Sequence, residues 1–89
     1  MKGLPVSMWY VYIVRCSDGT LYTGITTDID GRIASHNSGK GGAKYTRARR
    51  PVELVYAERA GSRSEAAKRE YRIKRMPLMA KRGMVAGNK

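Results

Sequence analysis

The apolar positions of this chain fall into two periods. From Met8 to Val14 every residue is apolar or aromatic, the pattern of a strand covered on both faces. Leu21 to Ile25 reads as a second, shorter strand. Between them Asp18-Gly19 is a turn signal with two registers. A two-residue loop would pair Ser17 with Thr20 and put Tyr12 and Tyr22 on opposite faces. A three-residue Ser17-Asp18-Gly19 loop, with Gly19 left-handed, pairs Cys16 with Thr20 and Val14 with Tyr22. Tyr12 then lies diagonal to Tyr22 on the same face. The three-residue loop is the expectation, because it lets the two phenols share a site.

The period then lengthens. Thr27 or Asp28 can cap a helix running to about Asn37, with Ile29 and Ile33 as its apolar seam. Ser38 to Lys44, rich in Gly and Lys, reads as a flexible basic loop that Tyr45 to Arg50 continues as far as Pro51. Val52 to Ala57 alternates as a third strand. Ser62-Arg63-Ser64-Glu65 is a capping box opening a second helix, which passes through Ala66, Glu70 and Ile73 and stops near Pro77. A short helix from about Leu78 to Val85 follows. Residues 1–7 are a short lead. The order ββαβαα predicts an α+β fold: a small three-stranded antiparallel sheet flanked by helices, one domain over residues 1–89 with its core at about 8–80.

Composition narrows the function. The chain has 89 residues and 42% hydrophobic content, enough for one modest core. It carries 18 Lys+Arg against 7 Asp+Glu, a net charge of +11, and a basic domain of this size most often meets a polyanion, usually nucleic acid. The single cysteine, Cys16, excludes an internal disulfide and a Cys-based zinc site. No apolar run is long enough to span a bilayer and no signal-peptide pattern opens the chain, so a cytoplasmic protein is expected.

Five residues can carry chemistry. Glu70 falls between Ala66 and Ile73 on the helical wheel, inside the apolar seam, where a carboxylate needs a cation, a donor cluster or a metal ion. A magnesium-type ion suits carboxylate oxygen. The bland alternative is a salt bridge to a nearby Arg or Lys. Tyr12 and Tyr22 can act through their hydroxyls, as a general base only if neighbouring cations or a metal stabilise the phenolate; otherwise they are core residues with a wet tip. Arg32 can hold a phosphate bidentately, or be a solvated helix residue. His36, one turn further on, is the only histidine: a proton carrier, or a surface or capping residue. Lys40, Lys44, Arg47, Arg49 and Arg50 suit a nucleic-acid backbone, and Tyr45 an exposed base.

Taken in order, these residues resemble the GIY-YIG nuclease family, and most closely its small stand-alone bacterial members. Tyr10-Val11-Tyr12 stands for the first signature triplet, without its Gly and Ile, and Tyr22-Thr23-Gly24 for the second, with a changed middle residue. Arg32, His36 and Glu70 match the family's Arg and His on the first helix and its metal-binding Glu on the second. The segment Lys44-Tyr45-Thr46-Arg47 to Arg50-Pro51-Val52 is similar to the stand-alone subgroup and to the family's structure-selective repair nucleases. The resemblance implies hydrolysis of a DNA phosphodiester around a single divalent ion, Mg2+ or Mn2+, held by Glu70. It implies a signature tyrosine, Tyr12 before Tyr22, as the base, Arg32 on the phosphate and His36 in proton traffic. Branched or single-stranded DNA would be the partner, with a targeting protein left open. The alternative is a non-catalytic nucleic-acid-binding module on the same scaffold, in which Glu70 would only repel phosphates.

Overall fold

A computed structural model describes residues 8–38 and 41–87. Strands β1 (Trp9–Arg15) and β2 (Leu21–Thr26) form the hairpin, and β3 (Glu53–Ala60) pairs with the other edge of β1, so the sheet order is β2-β1-β3, antiparallel throughout. Helices α1 (Ile29–Ser38) and α2 (Lys44–Arg47) precede β3, and α3 (Arg63–Lys74) and α4 (Leu78–Gly87) follow it. The fold is α+β as expected. The lead at residues 1–7 and Lys40 fall outside the described residues.

The turn takes the three-residue form. Cys16 N–H donates to Thr20 O at 2.8 Å, and Gly19, at φ +85°, donates to Cys16 O at 2.9 Å. Glycine adopts that left-handed backbone without a steric penalty. Asp18 fastens the turn by accepting from the Thr20 amide and hydroxyl, which hold its carboxyl below the ordinary range. Val14 therefore pairs with Tyr22 and Tyr12 with Gly24. Both phenols point to one face.

Being the central strand, β1 is covered on both sides, and Val11 to Val14 are all buried. Val11 and Ile13 pack with Ala66 and Ile73 of α3, with Met84 and Val85 of α4 closing that layer. Tyr12 and Val14 face the other way and pack with Cys16, Val52 and Ile33 of α1. Truncating the fully buried Ile73 to Ala would cost roughly 2–5 kcal/mol.

Local signals start two of the helices where the sequence indicates. Asp28 Oδ1 accepts from Gly31 N at 3.1 Å and caps α1. Ser62 Oγ accepts from Glu65 N at 3.1 Å, while the Glu65 carboxylate turns back to Gly61 N–H rather than to the cap residue's own amide. Glu58 of β3 takes two hydrogen bonds from Arg69 of α3, at 2.8 and 3.2 Å, and one from Tyr56. Burial works to raise the Glu58 pKa, but these donors outweigh it and the carboxyl stays below its ordinary value.

Two expectations are corrected. The Tyr45–Arg50 stretch is not a flexible loop: it contains the one-turn helix α2, and Thr46 of that turn is fully buried. The third strand does not alternate simply. It runs to Ala60 and carries an extra residue opposite Ile13/Val14, where Ile13 pairs with Tyr56 but Val14 with Leu54. The bulge sends Val55 into the α3–α4 core and leaves Leu54 exposed.

Candidate active site

The site is assembled around His36. Its ring, in the last turn of α1, is 0% exposed and lies edge-on to both phenols, with centroids 6.0 Å from Tyr12 and 5.6 Å from Tyr22. Nε2 is 2.9 Å from the Tyr12 hydroxyl and Nδ1 is 2.8 Å from Thr46 Oγ1. Arg32, one turn earlier, donates from Nε to the same Tyr12 hydroxyl at 3.4 Å and from Nη1 to Gly41 O at 2.7 Å. The i, i+4 spacing of Arg32 and His36 thus delivers two nitrogens to one phenol.

Glycine makes the geometry possible on the opposite side. The Tyr12 ring lies across Gly24 of β2, where a Cβ would sit 2.5 Å from the hydroxyl oxygen. On the far side of α1, the segment at Gly42 passes so close that a Cβ there would meet the His36 backbone at 2.8 Å. The Asn37 side chain brackets Val52, donating to its carbonyl at 3.1 Å and accepting from its amide at 2.7 Å, which ties the end of α1 to the start of β3.

The electrostatics follow from burial among cations. Desolvation lowers the His36 pKa, and the Arg32 charge lowers it further, so the imidazole is neutral at pH 7. Desolvation raises the Tyr12 pKa; the hydrogen bond and charge of Arg32 oppose the rise, while Tyr22 and Glu70 add to it. Tyr12 is therefore a protonated phenol at neutral pH.

Glu70 is half-buried rather than enclosed in the apolar seam: its side chain is 23% exposed and pairs with Lys74 at 3.2 Å. The salt bridge anticipated as its bland alternative does form, yet Glu70 is close enough to act on the Tyr12 titration. The Lys74 ammonium also lies 5.5 Å from the centre of the Tyr22 ring, which links α3 to the edge strand. Among the described residues no three His, Cys, Asp or Glu side chains cluster as a metal cage. One carboxylate beside open solvent fits a magnesium-type ion, which keeps several waters and takes other ligands from substrate phosphate.

The basic segment divides in two. Arg49 is committed inside the fold: it donates to Asp18 at 3.1 Å and to Tyr45 O at 2.8 Å, and its guanidinium lies 4.1 Å from the Tyr45 ring centre. Arg50 donates to Arg47 O at 2.9 Å and to Asn37 O at 3.4 Å. Lys44 and Arg47 are exposed, with no side-chain hydrogen bond or ion pair among the described residues. Tyr45 is 38% exposed and stacks on Tyr22 at 5.8 Å, with 20° between the ring planes. Thr46 and Asn37 carry no signal of chemistry in the sequence, because their partners His36 and Val52 lie 10 and 15 positions away.

This architecture matches a known class. A family model described as the GIY-YIG catalytic domain matches residues 8–77, and the chain belongs to that family, the GIY-YIG nuclease superfamily, whose members generally use divalent metal ions and bind nucleic acid. Among its relatives, the UPF0213 protein DP2720 of Desulfotalea psychrophila is 62% identical over 77 residues, 86% of this chain and 70% of that protein. The UPF0213 protein VNG_2274C of Halobacterium salinarum is 53% identical over 77 residues, covering 86% and 99%. The solution NMR structure of the UPF0213 protein BH0048 from Bacillus halodurans superposes with a TM-score of 0.57 at 48% identity, over 89% of this chain and 83% of that one. No helix among the described residues is long and apolar enough to cross a membrane.

Proposed function

We propose that this protein is a metal-dependent endonuclease that hydrolyses DNA phosphodiester bonds with little sequence preference, or with a preference for branched or single-stranded DNA. The observation that carries the reading is the convergence of His36 and Arg32 on the Tyr12 hydroxyl, with Glu70 in electrostatic range. In a purely binding module the Glu70 carboxylate would only repel the phosphates.

A single Mg2+ or Mn2+ ion on Glu70 would supply charge neutralisation at the phosphate and a more acidic water. Tyr12 is too weak an acid to wait as a phenolate, so it acts as a relay. Its oxygen takes a proton from the attacking water while its own proton passes to Nε2 of neutral His36. The hydroxide so formed attacks phosphorus, the bond from phosphorus to one sugar oxygen breaks, and that leaving oxygen takes a proton from solvent water while His36 returns its own to solvent. Arg32 uses two of its five N–H groups on Tyr12 and Gly41, which leaves three for phosphate oxygens. Tyr22 walls the site beside Tyr45. Lys44 and Arg47, with Lys40 of the same segment, contact the nucleic-acid backbone; Arg49 and Arg50 shape that surface. A cytoplasmic location agrees with such a substrate.

The test is cleavage of supercoiled, single-stranded and branched DNA with and without Mg2+ or Mn2+, with Glu70→Ala beside the wild type. Ion-dependent cutting that disappears in Glu70→Ala is the expected result. No cutting on any substrate, with tight salt-sensitive binding by both proteins, would replace this reading with the binding module.

A further inference from the structure

Thr46 has no place in the mechanism so far, yet it is 0% exposed and is the one buried residue of α2. Its hydroxyl has a single proton and two polar neighbours: Ala43 O at 3.0 Å and His36 Nδ1 at 2.8 Å. Counting protons along the chain decides the direction. If Thr46 donates to Ala43 O, its oxygen accepts from Nδ1–H, Nε2 is bare, Tyr12 donates to Nε2, and Arg32 donates to Tyr12. Every donor then meets an acceptor except the Ala43 amide, whose contact with Nδ1 is the long one at 3.4 Å. In the other tautomer Thr46 turns its proton to Nδ1, Ala43 O keeps only the Thr46 amide at 3.1 Å, and Nε2–H and Arg32 both point at Tyr12. The phenol proton is then left without a partner among the described residues. Ala43 N–H also points at Nδ1 and favours the second tautomer, but at 3.4 Å it is longer than a good hydrogen bond and does not outweigh a buried phenol proton left without a partner.

We infer that Thr46 is a positioning residue: it holds the His36 imidazole in the Nδ1–H tautomer, so that the Nε2 lone pair stays aimed at the Tyr12 hydroxyl. The tautomer of a histidine is set by the partner of its other nitrogen. The inference rests on the relay proposed above, because only an Nε2 lone pair can receive the Tyr12 proton. It gives the α2 turn a purpose. Its backbone and one hydroxyl form the floor beneath the imidazole, while its charged residues face outward.

His36 is the only histidine, so the imidazole nitrogens of 15N-labelled protein can be read by NMR without assignment. The wild type is expected to show the Nδ1–H pattern. Thr46→Ser, which keeps the hydroxyl, should retain both that pattern and cleavage. Thr46→Val, which keeps the shape, should give a tautomer mixture and a kcat lower by roughly tenfold to a hundredfold with KM little changed, less than the roughly 10²–10⁴-fold that loss of a positioned acid–base group itself costs. An Nε2–H wild type overturns the inference, as does a folded Thr46→Val protein with unaltered tautomer and turnover. The nitrogen spectrum is independent of nuclease activity. An Nδ1–H wild type that loses the pattern in Thr46→Val and cuts no DNA supports the role of Thr46 and sinks the nuclease reading alone. If Thr46→Val fails to fold, the wild-type and Thr46→Ser spectra still decide the tautomer.

Discussion

Gly24 lies directly beneath the Tyr12 ring, leaving no room for even a methyl group between the edge strand and the phenol oxygen. The cross-strand pairing of these two residues explains why the second signature triplet ends in glycine. Gly24→Ala should push the Tyr12 hydroxyl off His36 and Arg32. We expect a loss of about 1–3 kcal/mol in urea unfolding, as for overpacking elsewhere, together with loss of DNA cleavage. A variant of wild-type stability would show that Tyr12 has freedom to move away.

The two phenols should behave differently when their hydroxyls are removed. Tyr12→Phe strands the buried Nε2 of His36, costing about 1–3 kcal/mol for an unsatisfied group, and breaks the relay. The Tyr22 hydroxyl has no hydrogen-bond partner among the described residues, so Tyr22→Phe should leave stability within about 0.5 kcal/mol of wild type. Parallel unfolding and cleavage curves check both. Greater loss of cleavage in Tyr22→Phe would exchange the roles assigned to the two phenols.

Acid sensitivity should report on His36. Its folded pKa is lower than the unfolded value of about 6.5, so between those two values the unfolded chain binds a proton that the native chain does not. The contribution is fully present above about pH 6.5 and is lost as pH falls through the folded value. The carboxyls of Asp18 and Glu58 are held below the ordinary carboxylate range, so they do not account for a decline that starts near pH 6.5. Urea midpoints measured from pH 7.5 to 5 should fall in wild type. In a folded His36→Gln protein that decline should flatten.

The split of the basic segment predicts two kinds of variant. Lys44→Ala and Arg47→Ala should weaken DNA binding without changing stability. Each should also lower the slope of log K against log salt by roughly 0.7–0.9 per phosphate that the missing cation would have neutralised. Arg49→Ala should lower the unfolding midpoint, because it removes the bonds to Asp18 and Tyr45 together. Equal salt slopes for all three variants and wild type would place the DNA elsewhere.

Lys74 and a divalent ion would compete for the Glu70 carboxylate. The pair is partly exposed and spaced i, i+4, worth about 0.3–0.5 kcal/mol, which is close to a twofold effect. Lys74→Met should therefore lower the Mg2+ concentration for half-maximal cleavage by about twofold. A tenfold change in either direction would give Lys74 a direct part in the reaction.

Much of the molecule was legible along the chain, because it rests on interactions between near neighbours. The unbroken apolar run set β1 as the covered central strand. Asp18-Gly19 marked the hairpin turn but left two registers open, and the fold took the one that puts Tyr12 and Tyr22 on a shared face. Asp28 and Ser62 set the starts of two helices, and the order of Tyr12, Tyr22, Arg32, His36 and Glu70 marked the family. The tertiary structure decided what meets what. The His36–Tyr12 and His36–Thr46 bonds join residues 24 and 10 positions apart. Asn37 meets Val52 across a turn bounded by proline. Arg49 and Arg50 have the same composition signal as Arg47 but are taken up by Asp18, Tyr45 and Asn37. Charge and periodicity are properties of a residue and its neighbours in sequence. The partner of a buried hydrogen-bonding group depends on where the chain returns once the core has packed, and there the fold turned an ordinary threonine into the floor of the site.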